Sequence, residues 1–127
     1  MTDSTALGDR MKSYEAHETE RYFLPILPVY ARIDGRSFSK FTRGFTRPYD
    51  ATMSEVMVET AKALVEETHA CIGYTQSDEI SLCWFPQSFG SEIFFAGRIF
   101  KMTSSLAALA SVYFLREARH HWPEKLW

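Results

Sequence analysis

Three short segments of the chain are apolar or rich in β-prone residues, which predicts three strands. The segment Leu24 to Ile33 contains two prolines, so only Val29 to Ile33 is expected to pair centrally in a sheet. Two further β-prone segments, Cys71 to Gln76 and Ile80 to Phe85, flank a Ser-Asp-Glu tripeptide at 77–79. Because so few residues separate these two segments, we predict an antiparallel hairpin with the acids at its tip.

Two longer segments carry apolar residues at spacings of three and four, which is typical of helices with one buried face. The first follows Pro48, begins after a capping residue at Asp50 and runs to about His69. The second begins near Gly97 or Arg98 and ends near residues 120–123. The predicted buried faces consist of Met53, Val56, Met57, Ala61, Leu64 and Val65 in the first helix and of Ile99, Met102, Leu106, Leu109, Ala110 and Tyr113 in the second.

The order of these elements is strand, helix, strand, strand, helix. It matches five of the six elements of the ferredoxin-like β-α-β-β-α-β arrangement, so we predict an α+β fold whose last strand is missing. Residues 1–12 are polar and we expect them to be frayed, followed by a short edge helix within Met11 to Phe23. We therefore divide the chain into an N-terminal arm and edge helix (1–24) and an incomplete ferredoxin-like domain (25–127).

Composition restricts the classes of protein to which the chain can belong. Its 127 residues, 46% of them hydrophobic, suffice for one globular domain, and a net charge of −2 gives no general attraction to nucleic acid. Cys71 and Cys83 do not lie at metal-ligand spacing, so we expect buried, reduced thiols in a cytoplasmic protein. Met1 to Arg10 lacks the apolar core of a signal peptide, and no apolar run approaches membrane-spanning length.

Charge is distributed unevenly. Between residues 32 and 47 there are five bases and one acid, whereas five acids and one base lie between residues 50 and 67. A concentration of bases within a neutral chain is typical of a local anion site and not of a broad binding surface. We call this set of cations the basic loop; its members are Arg32, Arg36, Lys40, Arg43 and Arg47.

The acids at the ends of the predicted strands indicate a second kind of chemistry. In a ferredoxin-like sheet the first strand lies beside the hairpin, so Asp34 is expected to approach Asp78 and Glu79. Carboxylates brought together repel unless a cation lies between them, and a partly open oxygen site suits Mg²⁺. Two such ions can stabilise the attacking and leaving oxygens of a displacement at phosphorus. The turn at Gly35 would expose backbone N–H groups to phosphates.

Taken singly, each feature also has a structural explanation. An acid before glycine is common in turns, acids are common at hairpin tips, and loop cations are usually solvated. The histidines at 17, 69, 120 and 121 have no partners at metal spacing. In favour of an anion site, Arg98 and Lys101 lie at the start of the last helix, where the helix dipole favours anions. The joint placement of the acids and cations at one edge of the predicted sheet favours the functional interpretation.

Four blocks of the sequence resemble, in order and spacing, motifs of the tRNA-His guanylyltransferase family and its wider set of 3′-to-5′ polymerases. They extend over roughly residues 10 to 120, and the first and third are the most specific. The blocks are Arg32-Ile33-Asp34-Gly35-Arg36-Ser37-Phe38, Phe45-Thr46-Arg47-Pro48-Tyr49-Asp50, Tyr74-Thr75-Gln76-Ser77-Asp78-Glu79-Ile80-Ser81, and Phe95-Ala96-Gly97-Arg98 with Lys101 and Ser104.

The resemblance implies that residues 25–127 form part of a polymerase-like palm domain that uses two Mg²⁺ ions. Such enzymes use GTP and ATP to add a nucleotide, typically G, to the 5′ end of a tRNA, in tRNA-His maturation or in 5′-end repair, and they usually form homo-oligomers. Carried over, Asp34 and Asp78 are metal-binding carboxylates, Gly35 contributes its carbonyl oxygen and Glu79 lies beside the metals. The implied nucleotide-binding residues are Gly35, Arg36, Ser37, Phe38, Arg47, Asp50, Ser77, Arg98 and Lys101.

The sequence also departs from the family pattern. Tyr49 stands where Asn is common, and Ala96 stands where Gly is common, which we interpret as a minor change. The family continues with another palm strand and a helical region that grips the tRNA. Two alternatives therefore stay open. One is another palm-type nucleotidyl transferase, such as a nucleotide cyclase. The other is a non-catalytic nucleotide-binding fragment that meets a partner through its free sheet edge and its aromatic end, Trp122 and Trp127.

Overall fold

The protein is described here by a computed structural model over residues 4–125. Its centre is a three-stranded antiparallel sheet, and two long helices cover one face of it. The elements are α1 (Ser4–Thr19), β1 (Val29–Asp34), α2 (Phe38–Phe41), α3 (Ala51–Thr68), β2 (Ile72–Gln76), β3 (Glu79–Trp84), a 3₁₀ turn (Phe94–Gly97) and α4 (Ile99–His121).

This arrangement confirms the predicted ferredoxin-like order of strand, helix, strand, strand, helix. The central strand is β3, which pairs with β1 on one side and with β2 on the other. The described part of the chain contains no fourth strand, so β1 is paired along one edge only. The fold is therefore an α+β palm-like sheet with one free edge on its first strand.

The two faces of the sheet differ because side chains alternate along each strand. Ile80, Leu82 and Trp84 of β3 are buried beneath the helices, together with Val29 of β1. The indole Nε1 of Trp84 donates a hydrogen bond to the Thr68 carbonyl oxygen at 2.9 Å, which satisfies its polar atom within the core. The opposite face carries no helix among residues 4–125 and is largely exposed.

The two long helices begin and end close to where the sequence predicts. Asp50 caps α3, and Met53, Val56, Met57, Ala61 and Leu64 form its buried face as predicted. In α4, Met102, Leu106 and Ala110 are buried, and Leu109 and Tyr113 are partly buried beside them. Phe38 and Phe41 of α2 also pack against this core.

Three predictions from the sequence were wrong in detail. The first helix spans Ser4–Thr19 and not a short stretch within 11–23, since intrinsic propensity forms it although its side chains are mostly exposed. Cys71 is exposed rather than buried. The third strand begins at Glu79 and not at residue 80, which leaves a two-residue turn in the hairpin. Predictions for residues 1–3 and for Trp127 lie outside the described residues.

The turn before α4 is left-handed over three consecutive residues. Phe95, Ala96 and Gly97 have φ values of 49°, 51° and 73°. Only glycine adopts this region without a steric penalty at Cβ, so Ala96 is more strained than its similarity to glycine suggests. The alanine that we interpreted from the sequence as a minor change therefore lies in a backbone conformation that favours glycine.

We expect Ala96→Gly to raise the free energy of unfolding by about 1 kcal/mol, because it removes a Cβ from a left-handed conformation. The matched control is Ala107→Gly, at an exposed position within α4, which should lower that energy by about 1 kcal/mol. Urea denaturation of the three proteins measures both effects. Equal destabilisation by the two substitutions would show that residue 96 is not strained.

Candidate functional site

Three acids lie at one end of the sheet. Asp34, the last residue of β1, pairs with Glu79, the first residue of β3. Residues that are directly opposite in an antiparallel pair have Cβ atoms about 4.5–5.5 Å apart, so these two carboxylates are close neighbours. Asp78 lies in the hairpin turn, and its carbonyl oxygen accepts a hydrogen bond from the Gly35 N–H at 2.9 Å. The predicted approach of the first strand's end to the hairpin tip is confirmed.

The hairpin turn itself is tight. Ser77, its first residue, has a positive φ of 55°, as hairpin turns of two residues require at this position. The Thr75 hydroxyl donates to the Glu79 carbonyl oxygen across the turn at 2.9 Å. These features fix the conformation of the turn and with it the positions of Asp78 and Glu79 at the end of the hairpin.

The chemistry of these oxygen atoms fits a magnesium ion. Asp34, Asp78 and Glu79 make no ion pair with any residue between 4 and 125, and like charges at opposing sheet positions are destabilising. The described residues contain no group of three or more His, Cys, Asp or Glu side chains placed to share an ion. Two carboxylates and the Gly35 carbonyl oxygen would leave coordination positions for water and phosphate oxygens, which is how Mg²⁺ is usually bound.

The loop after β1 turns sharply beside these acids. A Cβ on Gly35 would lie 2.4 Å from the ring of Phe38, so only glycine fits there. Ser37 has a φ of 59°, which directs the chain into the short helix α2. The backbone N–H groups of Arg36, Ser37 and Phe38 donate no hydrogen bond to residues 4–125. Three donors are thus available to an anion next to the acids.

Aromatic packing holds this loop in place from below. The ring of Phe38 lies 5.6 Å from that of Phe41 and 5.1 Å from that of Phe114 on α4. Trp122, just beyond α4, packs against Phe41 and Phe45, with its ring centroid 5.7 Å and 5.1 Å from theirs. The predicted use of Trp122 as a free contact for a partner was therefore wrong, since its ring belongs to this intramolecular cluster.

A cavity of about 540 Å³ opens beside the hairpin tip. Its walls are the loop over residues 42–50, the first turns of α3 and the end of the hairpin. The sequence predicted Arg47, Asp50, Ser77 and Asp78 near this site but missed the apolar wall. That wall includes Met53, Met57 and Val58, which a helical pattern assigns to the core or to the surface and not to a ligand.

The basic loop has no acidic partners within the described part of the chain. Arg32, Arg36, Lys40, Arg43 and Arg47 are exposed, and none of them forms an ion pair with residues 4–125. Within the described part of the chain, these cations form no ion pairs with Asp34, Asp78 or Glu79. Both sets of charges are therefore available to a ligand that carries phosphates and a metal ion.

Comparison with known proteins identifies the family. Residues 8–126 match the model of the tRNAHis guanylyltransferase family. The chain belongs to this family. It is 38% identical to an uncharacterised protein of Acanthamoeba polyphaga mimivirus, over 91% of this chain and 40% of that protein. It is 30% identical to the tRNA(His) guanylyltransferase of Debaryomyces hansenii, over 91% of this chain and 43% of that enzyme.

Solved structures show the same fold. A bacterial tRNA(His) guanylyltransferase-like protein in complex with ATP superposes with a TM-score of 0.84 at 33% identity, over 94% of this chain and 53% of the other. The corresponding complex with GTP gives 0.85 at 32% identity, over 95% and 58%. The chain thus spans about half the length of these structures, and less than half of the curated relatives. None of the helices described between residues 4 and 125 has the length and apolar character needed to cross a membrane.

Two residues of the family motifs lie away from the acids. The Lys101 ammonium lies 5.9 Å from the centre of the Phe95 ring, and the Arg98 guanidinium lies 6.0 Å from that of Tyr22. The neighbouring Phe94 stacks on Trp84, which ends β3, whereas Glu79 begins it. A strand of this length measures about 17–20 Å, so the turn before α4 lies near the end of β3 that is far from Glu79 and Asp34.

Asp50 has a structural role in this guanylyltransferase-family chain. Its Oδ1 accepts from the Met53 N–H at 2.9 Å, and its Oδ2 accepts from the Thr46 N–H at 3.1 Å. Both hydrogen bonds lower the pKa of the Asp50 carboxyl, and the bond from Met53 has the larger effect. Both oxygens are thus occupied in capping α3 and in holding the loop that forms one wall of the cavity.

We expect Asp50→Ala to lower the free energy of unfolding by about 1 kcal/mol at neutral pH, since it removes an N-cap. Because the folded pKa is depressed, the stabilisation by the charged carboxylate is complete above its unfolded pKa of about 3.9 and is lost as pH falls through the folded value. Thermal unfolding is measured from pH 7 to pH 2.5. The difference in free energy of unfolding between the wild type and Asp50→Ala should become smaller below about pH 4. A difference that stayed constant over this range would exclude the charged cap.

Proposed function

We propose that this chain carries the nucleotide- and metal-binding part of a nucleotidyltransferase. Its reaction is the addition of a nucleotide, typically G, to the 5′ end of a tRNA in the 3′-to-5′ direction, in tRNA-His maturation or 5′-end repair. The observation that carries the proposal is the register of β1 and β3, which sets Asp34 opposite Glu79, with Gly35 hydrogen-bonded to Asp78. The names of the relatives and the ATP and GTP complexes of similar structures support the substrates.

In this proposal the acids hold magnesium and the loops hold the nucleotide. Asp34, Asp78 and the Gly35 carbonyl oxygen would bind two Mg²⁺ ions, and Glu79 lies beside them. When bound, the ions supply charge stabilisation at phosphorus and activate the attacking hydroxyl group. Such ions keep part of their shell for water and substrate oxygens.

The nucleotide would lie between the turn after β1 and the cavity. The N–H groups of Arg36, Ser37 and Phe38 donate to the triphosphate, since they have no other acceptor in the described chain. Arg47 and Ser77 line the same cavity and add a cation and a hydroxyl group. Its apolar wall on α3 then receives the base, and the exposed ring of Tyr49 borders it.

The wider organisation is part of the same proposal. We assign residues 25–127 to the catalytic palm domain and residues 1–24 to an arm outside it. The free edge of β1 is open to another strand, which agrees with assembly into a homo-oligomer or with a further palm segment. Two unpaired cysteines and a tRNA substrate agree with a cytoplasmic protein. Arg98 and Lys101 stay predictions from the motif alone.

Calorimetric titration with GTP and ATP, with and without Mg²⁺, tests this function. We expect saturable binding that requires Mg²⁺, and transfer of labelled GTP to a tRNA lacking its first nucleotide. Arg47→Ala should weaken binding about tenfold, as loss of a charged hydrogen bond does. The matched control Arg43→Ala, a basic-loop residue outside the cavity lining, should have less effect. A protein with native circular dichroism that binds neither nucleotide at millimolar concentration would contradict the proposal.

A further inference from the structure

One aromatic side chain lies exposed at the opening of the cavity beside the hairpin tip. Tyr49 is among the residues that line this cavity, and it is 82% exposed. No other large apolar or aromatic residue described between residues 4 and 125 is exposed to this extent. The hydroxyl group and the ring of Tyr49 make no hydrogen bond or ring contact with the described part of the chain. The fold therefore makes little use of this ring.

The backbone on both sides of Tyr49 is nevertheless held in place. Pro48 precedes it, and a proline ring fixes its own φ at about −65°. Asp50 follows it, and the two carboxylate oxygens of Asp50 accept the N–H groups of Thr46 and Met53. Tyr49 thus carries a free side chain on an anchored segment, so its ring stays close to the opening of the cavity.

The lining of the cavity indicates which part of a ligand would meet this ring. Met53 and Met57 of α3 contribute apolar groups, whereas Ser77 and Asp78 of the hairpin turn form a polar end. A nucleobase has apolar faces, and its stacking on an aromatic ring is a major contact in the binding of nucleotides by proteins. Because the stacked base is uncharged, this contact does not depend on the balance of acids and cations around the cavity.

We propose that Tyr49 stacks on the base of the bound nucleoside triphosphate and holds it at the opening of the cavity. This inference rests on the proposed function, because it takes the triphosphate to lie at the turn after β1 and at the hairpin tip. Tyr49 is then a positioning residue for the nucleotide. It binds neither the metal ions nor the phosphates.

The residue type at this position also determines how the base is contacted. Asn, which is common here in the family, has an amide group that can donate to and accept from the edge of a particular base. A phenol ring contacts the face of a base, and since every base has such a face, stacking tolerates any base. Tyr49 therefore increases the affinity for GTP and for ATP to a similar extent and does not select between them.

Calorimetric titration in Mg²⁺ with GTP, ATP and inorganic tripolyphosphate tests this contact, because tripolyphosphate carries phosphates without a base. Tyr49→Ala should raise the dissociation constants of GTP and ATP about tenfold each, as loss of one stacked base does. That of tripolyphosphate should not change. Tyr49→Phe retains the ring and should bind both nucleotides as the wild type does. The matched control Tyr14→Ala removes an exposed tyrosine from α1 and should alter none of the three.

A fluorescent nucleotide reports the stacking itself. The emission of 2-aminopurine is quenched when this base stacks on an aromatic ring. The triphosphate of 2-aminopurine riboside should therefore lose emission when it saturates the wild type or Tyr49→Phe, and should lose much less when it saturates Tyr49→Ala. Urea denaturation should give the same midpoint for all three proteins, because the ring of Tyr49 is exposed.

Unchanged affinity of Tyr49→Ala for both nucleotides would overturn the proposal. An equal loss of affinity for GTP and tripolyphosphate would also overturn it, since the substitution would then act at the phosphates. If Tyr49→Ala bound nucleotides normally but bound a tRNA lacking its first nucleotide more weakly in fluorescence anisotropy, the ring would contact the RNA instead. A wild-type protein that binds neither the nucleotides nor tripolyphosphate would contradict the proposed function, and this inference with it.

Discussion

Asp34→Asn and Asp78→Asn are each expected to reduce nucleotide transfer by at least about a hundredfold while leaving the protein folded. Each replaces a charged ligand with a neutral amide at the position where the ions would bind, and removal of one such electrostatic contact typically costs this much in rate. Because Asp34 lies opposite Glu79, its neutralisation also relieves a repulsion between like charges. The melting temperature of Asp34→Asn should therefore equal or exceed that of the wild type.

The measurement is single-turnover transfer of labelled GTP to a tRNA that lacks its first nucleotide, at several Mg²⁺ concentrations. The matched control is Asp9→Asn, which changes an exposed aspartate on α1 in the same way. If either Asp34→Asn or Asp78→Asn kept the wild-type rate at saturating Mg²⁺, the metal assignment would be incorrect. A rate lost in parallel with the circular dichroism signal would indicate unfolding instead.

Gly35→Ala is expected to lower the free energy of unfolding by about 1–3 kcal/mol and to abolish nucleotide binding. The new Cβ would lie 2.4, 2.6 and 2.9 Å from three atoms of the Phe38 ring. That ring is held between Phe41 and Phe114, so it has little room to move aside, and overpacking of this kind costs about 1–3 kcal/mol. The displaced turn would then move the free N–H groups that follow it.

A double-mutant cycle separates this clash from a general effect of alanine. Phe38→Leu shortens the obstructing side chain, so the pair Gly35→Ala/Phe38→Leu should be more stable than the sum of the single effects by about 0.5–1 kcal/mol. Gly90→Ala is the control, because a Cβ there meets nothing within 4 Å. Additive effects in urea denaturation would mean that the Phe38 ring is not what excludes a side chain at residue 35.

The position of the acids was predictable from the sequence because it depends on local patterns. Apolar and β-prone runs locate β1, β2 and β3, and the short connection between β2 and β3 allows only a hairpin. Asp34 follows the first strand directly, so the ferredoxin-like order alone places it near Asp78 and Glu79. The strand β3 begins at Glu79, one residue earlier than predicted. The only consequence is that Glu79 belongs to the sheet and not to the turn.

The location of Arg98 and Lys101 beside the end of β3 that is far from the hairpin tip was not predictable, because a sequence motif does not give the direction of the strand before it. The strand β3 runs away from the hairpin tip, and α4 begins where β3 has already reached the far end of the sheet. The strain at Ala96 and the packing of Trp122 were not predictable either. Both depend on tertiary contacts and backbone angles that no spacing of apolar residues reports.

The hydrogen bond from Gly35 to Asp78 joins two segments that are far apart in the sequence. The ligand site therefore exists only when the sheet is complete, and an unfolded chain has no equivalent of it. A nucleotide that binds there acts as a thermodynamic ligand of the native state. When the free nucleotide concentration is well above its dissociation constant, each further tenfold increase should add about 1.4 kcal/mol to the free energy of unfolding. Cellular nucleotide levels would then help to set how much of this protein is folded and protected from proteolysis.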